Sequence, residues 1–390
     1  MTDNARARDQ AVTLDLSALP ILDHHCHSLL RAEAPLSLLE FQAFFSEGGD
    51  EETRARHVPH TIYFRWAIKE LAQFLGCEPA AEAVLAARAA VPARARAERL
   101  FRDANIGMLL VDHGYQGGET LTHDELRSHL PCPIRPILRL ETMAQELILE
   151  HDAFDRMVDA YVARVEAARA AGYVGLKSIV AYRSGLAVTP PKRGAAARAF
   201  AAARERARRD GAVRLADKPL NDHLVLLALA VAQTERLPIQ FHTGFGDADL
   251  DLLWANPLHL RPLFESPRYR HVPFVLLHAG YPYVRELGYL ASLYANVWAD
   301  VGLAIPFVTI DIPALWNQML GLTPASKVLF STDAYSIPEI FWLAARWGRS
   351  GLARALAGAV AGGALTEAEA LDSARGILGG NAARLYGVDF

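Results

Sequence analysis

Cysteine is scarce in this 390-residue chain. Cys26, Cys77 and Cys132 are scattered, odd in number and form no CxxC pair, which excludes a disulfide framework and a zinc ribbon. Charge is scarce too, at 22% of residues, and nearly balanced, with 40 Lys and Arg against 44 Asp and Glu for a net charge of -4. That balance supplies no global field to recruit nucleic acid or an anionic membrane, so neither is expected as a partner. No stretch approaches the ~20 uninterrupted apolar residues of a membrane span. Residues 1–16, MTDNARARDQAVTLDL, lack the apolar centre of a signal peptide, and a cytoplasmic protein is the expectation. No internal repeat or extended low-complexity tract is visible. With 52% hydrophobic residues the chain has material for a large core, which excludes wholesale disorder.

What the chain does hold is a series of short apolar, β-branched runs bounded by turn signals. They fall at 20–25, 106–112, 133–141, 173–180, 238–243, 273–279, 297–303 and 327–333. Amphipathic segments with helical periodicity lie between most of them, such as 152–171, 222–236 and 283–294. Eight hydrophobic strands alternating with helices predict a parallel sheet covered on its outside, and eight is the number that closes a (β/α)8 barrel. A single domain over residues 1–390 is expected, enlarged by a helical insertion at 28–104 after the first strand and an Ala/Arg-rich one at 184–220 after the fourth. Both follow strand C-termini, the catalytic face of such barrels, and suit lid or substrate-shaping roles. The run Arg193–Arg209 reads as a solvated helix face, since Ala and Arg form helices well and no aromatics interleave.

The ionisable residues cluster at the C-terminal ends of these strands. His25 and His27 end the first, Lys177 sits in the fourth, His242 ends the fifth, His278 the sixth and Asp333 the eighth. In a closed barrel these positions converge on one mouth. Imidazoles and a carboxylate suit a divalent metal such as zinc, and the two His of H-x-H point to one face because side chains repeat with period two. Singly, each has a plainer reading: a strand His is often a hydrogen-bonded structural residue, and Asp333 would serve as N-cap of the helix entered at Pro338. Five coincidences at one end of five strands favour the site.

The segments Asp23–His27 (DHHCH), Gly172–Leu186 (GYVGLKSIVAYRSGL), Phe241–Asp247 (FHTGFGD), Leu276–Pro282 (LLHAGYP) and Ser331–Ala334 (STDA) resemble the amidohydrolase superfamily. They are most similar to its amidohydrolase-related branch, which includes the hydrolase-like domain found fused to glutamine-synthetase-like domains in nodulin and FluG proteins. The resemblance implies a metal-dependent hydrolase on a distorted barrel, with His25, His27, His242, His278 and Asp333 around one or two ions, zinc or alternatively manganese. It places Lys177 where binuclear members carry a carboxylated lysine that bridges two ions; the plain alternative is a lysine that pairs with Asp333 or holds a substrate carboxylate. With two ions, His25, His27 and Asp333 bind the buried one, and His242 and His278 the exposed one. With one ion, His25, His27, His242 and Asp333 bind it, leaving His278 to polarise the substrate or move a proton. Either way Asp333 is expected to shuttle a proton between water and the leaving group.

For a small-molecule substrate, Arg183, Arg139, Glu141, His113 and Tyr115 follow strand ends and are expected to face the mouth, with Tyr182 or His278 as oxyanion donor. A guanidinium there suits capture of a carboxylate; the plain alternative is an Arg139–Glu141 pair tying two loops. Asp247, Asp249 and Asp251 lack the EF-hand pattern and read as helix caps or amine ligands. Cys26, between two candidate ligands, is expected to point away. Tyr63, Phe64, Trp66 and Phe74 read as core more than as an aromatic roof over the site. The superfamily also contains decarboxylases, and an aromatic or unsaturated acid with CO2 as product is the alternative reaction. A noncatalytic barrel module is a further one, disfavoured by the intact ligand set. Association into a homo-oligomer is compatible with the sequence.

Overall fold

The structure, a computed structural model, describes residues 12–31, 35–115 and 119–390, so the leader reading falls mostly on residues outside those described. Eight strands pair in parallel in sequence order: β1 (Ile21–Cys26), β2 (Ile106–Asp112), β3 (Ile134–Arg139), β4 (Gly175–Ser178), β5 (Ile239–Phe241), β6 (Phe274–Leu276), β7 (Val297–Asp300) and β8 (Val328–Leu329). This is the expected (β/α)8 architecture. Hydrogen bonds close the ring where the chain leaves β8: the His24 amide donates to Phe330 O (3.3 Å), Asp333 to His25 O (3.0 Å) and His27 to Ala334 O (2.8 Å).

Side-chain alternation sorts the apolar residues into two cores. Leu22, Met108, Leu110, Ile137, Val275, Leu277 and Leu329 fill the barrel interior, with Tyr386 from the last helix. Ile21, Leu109, Val111 and Ile239 face the surrounding helices. In β1 the alternation changes phase: Leu22 points inward while Cys26, also even-numbered, points outward. The pairing of β1 with β2 shifts register between Asp23 and Cys26. Such a bulge re-aims side chains and turns His25 and His27 toward the mouth. Cys26 accordingly points away, its thiol 3.7 Å from Leu110 O.

Most strands end earlier than the apolar runs predict. β6 stops at Leu276 and β8 at Leu329, because the residues beyond leave the extended region: His278 has φ +66° and Asp333 φ +51°. The helices Phe154–Glu166, Lys218–Glu235 and Val284–Leu293 fall on the expected segments. The second starts four residues before the expected 222, since Pro219 fits a first helical turn, where no backbone N–H is needed.

The first insertion is helical and packs against the long helix Pro338–Ala361 through a buried ion triad. Glu339 Oε1 lies 2.8 Å from Arg88 Nε and 3.0 Å from Arg96 Nε. Tyr63, Phe64, Trp66 and Phe74 belong to this packing. Trp66 stacks on Trp347 at 4.1 Å, Phe74 meets Trp342 and Phe64 meets Phe41 and Phe45. In the second insertion the helix Arg193–Asp210 carries the arginine run on its surface, where Arg204 and Arg208 pair with Asp152, and Arg193 with Asp155.

Removing one member of a buried ion cluster strands the others in a medium that solvates them poorly. Glu339→Ala is therefore expected to cost about 3–5 kcal/mol of stability, read as a fall in the urea midpoint. A change under ~1 kcal/mol, the scale of a surface pair, would show that the triad does not hold the insertion.

Candidate metal centre

The seam that closes the barrel also assembles the site. Because His25 and His27 exchange backbone hydrogen bonds with residues 333 and 334, the Asp333 carboxylate lies against both imidazoles. Its Oδ1 is 3.0 Å from His25 Nε2 and 3.4 Å from His27 Nε2. One ligand atom from each of these residues lies within 4.8 Å of the other two, a group able to hold a metal ion. Asp23 locks the seam from behind, accepting from the amides of Thr332 (3.0 Å) and His25 (3.3 Å) and from the Thr332 hydroxyl. Asp333 caps no helix: the helix entered at Pro338 starts from Ile337.

The imidazoles are oriented from outside. His27 Nδ1 donates to Asp112 O at 2.9 Å, leaving the Nε2 lone pair facing Asp333. His242 Nε2 donates to Phe245 O at 3.0 Å, which leaves Nδ1 as its lone-pair nitrogen. His278 Nδ1 accepts from the Leu303 amide at 3.4 Å, so its proton sits on Nε2, which is buried and unpartnered. The backbone amide of His278 is in turn held by Asp300, which also binds His24 Nε2 at 3.0 Å. Gly302 permits this approach, because a Cβ there would fall 2.7 Å from Asp300 Oδ2 and 2.8 Å from His278 Nδ1.

Burial keeps the rings of His25, His242 and His278 neutral, the form that ligates metals. Burial, with the Lys177 ammonium adding to it, pushes His25 down to about 4 and His242 well below the usual imidazole value; burial does the same to His278. Burial opposes ionisation of Asp333, yet the imidazoles of His278, His25 and His27 outweigh it and hold the carboxyl well below its usual range. Lys177, with Nζ 3.1 Å from His25 Nε2, is pushed down to about 8 by burial, toward the neutral amine. The donor set fits a divalent ion: the Nε2 atoms of His25 and His27 face an ionised carboxylate whose buried Oδ1 has no hydrogen-bond partner.

A cavity of about 670 Å³ opens above this cluster and brings together His27, Lys177, His242, His278 and Asp333 with Tyr182, Arg183, Arg139 and Glu141. Tyr182 leans over the His242 ring at 4.4 Å, and its hydroxyl fills the space where a Cβ on Gly246 would lie. Arg183 has no carboxylate partner among the described residues, and burial followed by the neighbouring Arg214 lowers its pKa. The alternative reading of an Arg139–Glu141 pair does not hold. Arg139 binds Asp112 Oδ2 through Nε (2.8 Å) and Nη2 (2.6 Å), whereas Glu141 accepts from Ser178 at 2.7 Å and keeps an unpartnered Oε2. His113 does not line the cavity; it turns to His123 at 3.2 Å, and Tyr115 takes its place. Asp247 and Asp249 line the cavity, with Asp249 paired to Arg214, while Asp251 caps a turn at Leu253.

Several contributors escape a reading of strand ends. Asp112 and Asp300 stood last in β2 and β7, the same signal that marked the histidines, but act from behind them. Phe44, Glu47 and Arg54 come from the first insertion, and Arg214 from the second. Nothing local in their sequence announces them, because only the packing of the insertions brings them over the mouth.

The parallel barrel, with H-x-H at its first strand and an aspartate after its eighth, is the arrangement of the amidohydrolase family. The chain belongs to that family, whose match covers residues 135–388. Over 94% of its length it is 32% identical to Protein fluG of Emericella nidulans; it spans 45% of that protein, about half its length. Among solved structures it is similar to a candidate metal-dependent hydrolase of Lactobacillus casei ATCC 334, with 30% identity, a TM-score of 0.86 and coverage of 96% of this chain and 98% of that one. Uronate isomerase of Thermotoga maritima shares the fold at 14% identity, with a TM-score of 0.65 and 95% coverage of each chain.

A ligand that binds only the folded state stabilises it by mass action, by about 2.7 kcal/mol at a hundred times its dissociation constant. Chelator-treated protein is expected to melt lower than protein resupplied with zinc, and His25→Ala to abolish the difference. Equal melting temperatures with and without zinc in the unsubstituted protein would argue against a metal centre.

Proposed function

We propose that the chain hydrolyses an amide-type C–N bond in a small, carboxylate-bearing molecule, with zinc as its metal and manganese as a substitute. The observation that carries this reading is one cavity lined both by His27 and Asp333 of the His25–His27–Asp333 cluster and by Arg183, whose guanidinium forms no ion pair among the described residues. The resemblance to a domain found beside glutamine-synthetase-like domains makes a γ-glutamyl or other amino-acid amide the first substrate to try.

His25, His27 and Asp333 would hold the ion, joined by His242. In a two-ion arrangement a carboxylated Lys177, His242 and His278 would complete the set. A bound zinc ion supplies Lewis acidity and brings the pKa of water from ~15.7 toward ~7. Asp333, kept ionised among the imidazoles, accepts the proton of the attacking water and returns it to the leaving amine. His278, with its Nε2–H unpartnered, donates to the carbonyl oxygen as charge develops there. Arg183 anchors the substrate carboxylate, and Tyr182 walls the cavity beside His242. The left-handed backbone at His278 and Asp333 is a strained conformation of the kind found at functional sites.

Incubation with a panel of γ-glutamyl and amino-acid amides is expected to release an amine; release of CO2 from aromatic or unsaturated acids would replace this reading with decarboxylation. Asp333→Asn is expected to lower kcat by about 10²–10⁴-fold with metal content retained. Full turnover with a filled site would contradict the shuttle. Arg183→Met is expected to raise KM by about 10–100-fold, more than it lowers kcat.

A further inference from the structure

The cavity has a second feature that the hydrolytic reading leaves unused. Phe44, Tyr115 and Tyr335 line it together with Glu47. The Tyr335 ring stands 5.4 Å from Tyr115 at 63° and 6.0 Å from Phe44 at 62°, so the three rings form steeply inclined walls. Tyr115 lies 5.0 Å from the His27 ring, which sets this corner beside the metal centre. Glu47 has no hydrogen bond or ion pair among the described residues, and the charged groups that act on it, Asp333 and Asp247, are both carboxylates. Burial first, and then those two, push its carboxyl up to about 7. The nearest cation in sequence does not relieve it: Arg54 turns its Nε to Gly48 O at 3.1 Å.

A half-buried carboxylate without a counter-ion, as Glu47 is, costs stability unless something positive joins it. Aromatic faces around an anion are the arrangement that holds an alkylammonium, since each ring adds a cation–π attraction. We propose that Phe44, Tyr115, Tyr335 and Glu47 form a subsite for an ammonium group of the substrate. With Arg183 taking a carboxylate in the same cavity, the substrate is zwitterionic. That last clause rests on the role given to Arg183 above, whereas the ammonium subsite stands without it.

The test reads binding and needs no turnover. Affinities of the metal-loaded protein for n-butylamine and for 1-butanol, its neutral counterpart in shape, are measured by ligand-observed NMR for the wild type, Glu47→Gln and Tyr335→Leu, with melting temperatures confirming that each is folded. The wild type is expected to prefer the amine by about tenfold or more, Glu47→Gln to lose that preference with 1-butanol binding unchanged, and Tyr335→Leu to weaken it. Two results overturn the subsite: no preference in the wild type, or a preference kept in Glu47→Gln, as an amine ligating the metal would produce. A missing preference leaves amide hydrolysis untouched, and a missing amidase activity leaves the amine binding measurable.

Discussion

The site depends on the seam between β1 and the segment after β8. A barrel must close, and here three backbone hydrogen bonds between residues 24–27 and 330–334 close it. The closure sets Asp333 against His25 and His27, residues some 300 positions apart in sequence, with no dedicated loop to carry it. Asp23 ties the seam by binding the Thr332 amide and hydroxyl and the His25 amide. What holds the barrel shut is therefore also what brings His25, His27 and Asp333 together, and loss of the one implies loss of the other.

Around that seam the barrel works as a frame for tautomers and charge. Carbonyls of Asp112 and Phe245 and the Leu303 amide each fix which nitrogen of an imidazole carries its proton. Burial disfavours the protonated forms of His242 and His278. The acids at the ends of β2 and β7, Asp112 and Asp300, act through these rings instead of facing the substrate: Asp112 also occupies Arg139, and Asp300 braces the His278 backbone. The insertions supply a different chemistry. Their residues set guanidinium and aromatic–carboxylate surfaces over the mouth, which is where family members with a common centre can differ in substrate.

Much of this was legible in the sequence because period-two alternation and strand-end position are local signals. His25, His27, His242, His278 and Asp333 stand at strand ends, and the structure gathers them in one mouth. The period-two argument for H-x-H reached the right face by an incomplete route, since a register shift inside β1 is what turns both rings inward, and no residue type marks that bulge. For His113 and Arg139, position after a strand says that a side chain is near the mouth, as Arg139 is, but not which neighbour it will choose. His113 found His123, and Arg139 found Asp112, whose buried carboxylate needs a cation more than the cavity does. Glu47, Phe44 and Tyr335 lay beyond such reasoning, because the tertiary packing of the first insertion alone places Glu47 and Phe44 beside the seam.

The most direct measurement of the central claim is the anomalous scattering of a zinc-loaded crystal, collected on both sides of the zinc edge. The account predicts a peak within about 2.0–2.2 Å of His25 Nε2, His27 Nε2 and an Asp333 oxygen, with Lys177 and His242 at its border. A peak elsewhere, or none while those three side chains remain packed against one another, would contradict it.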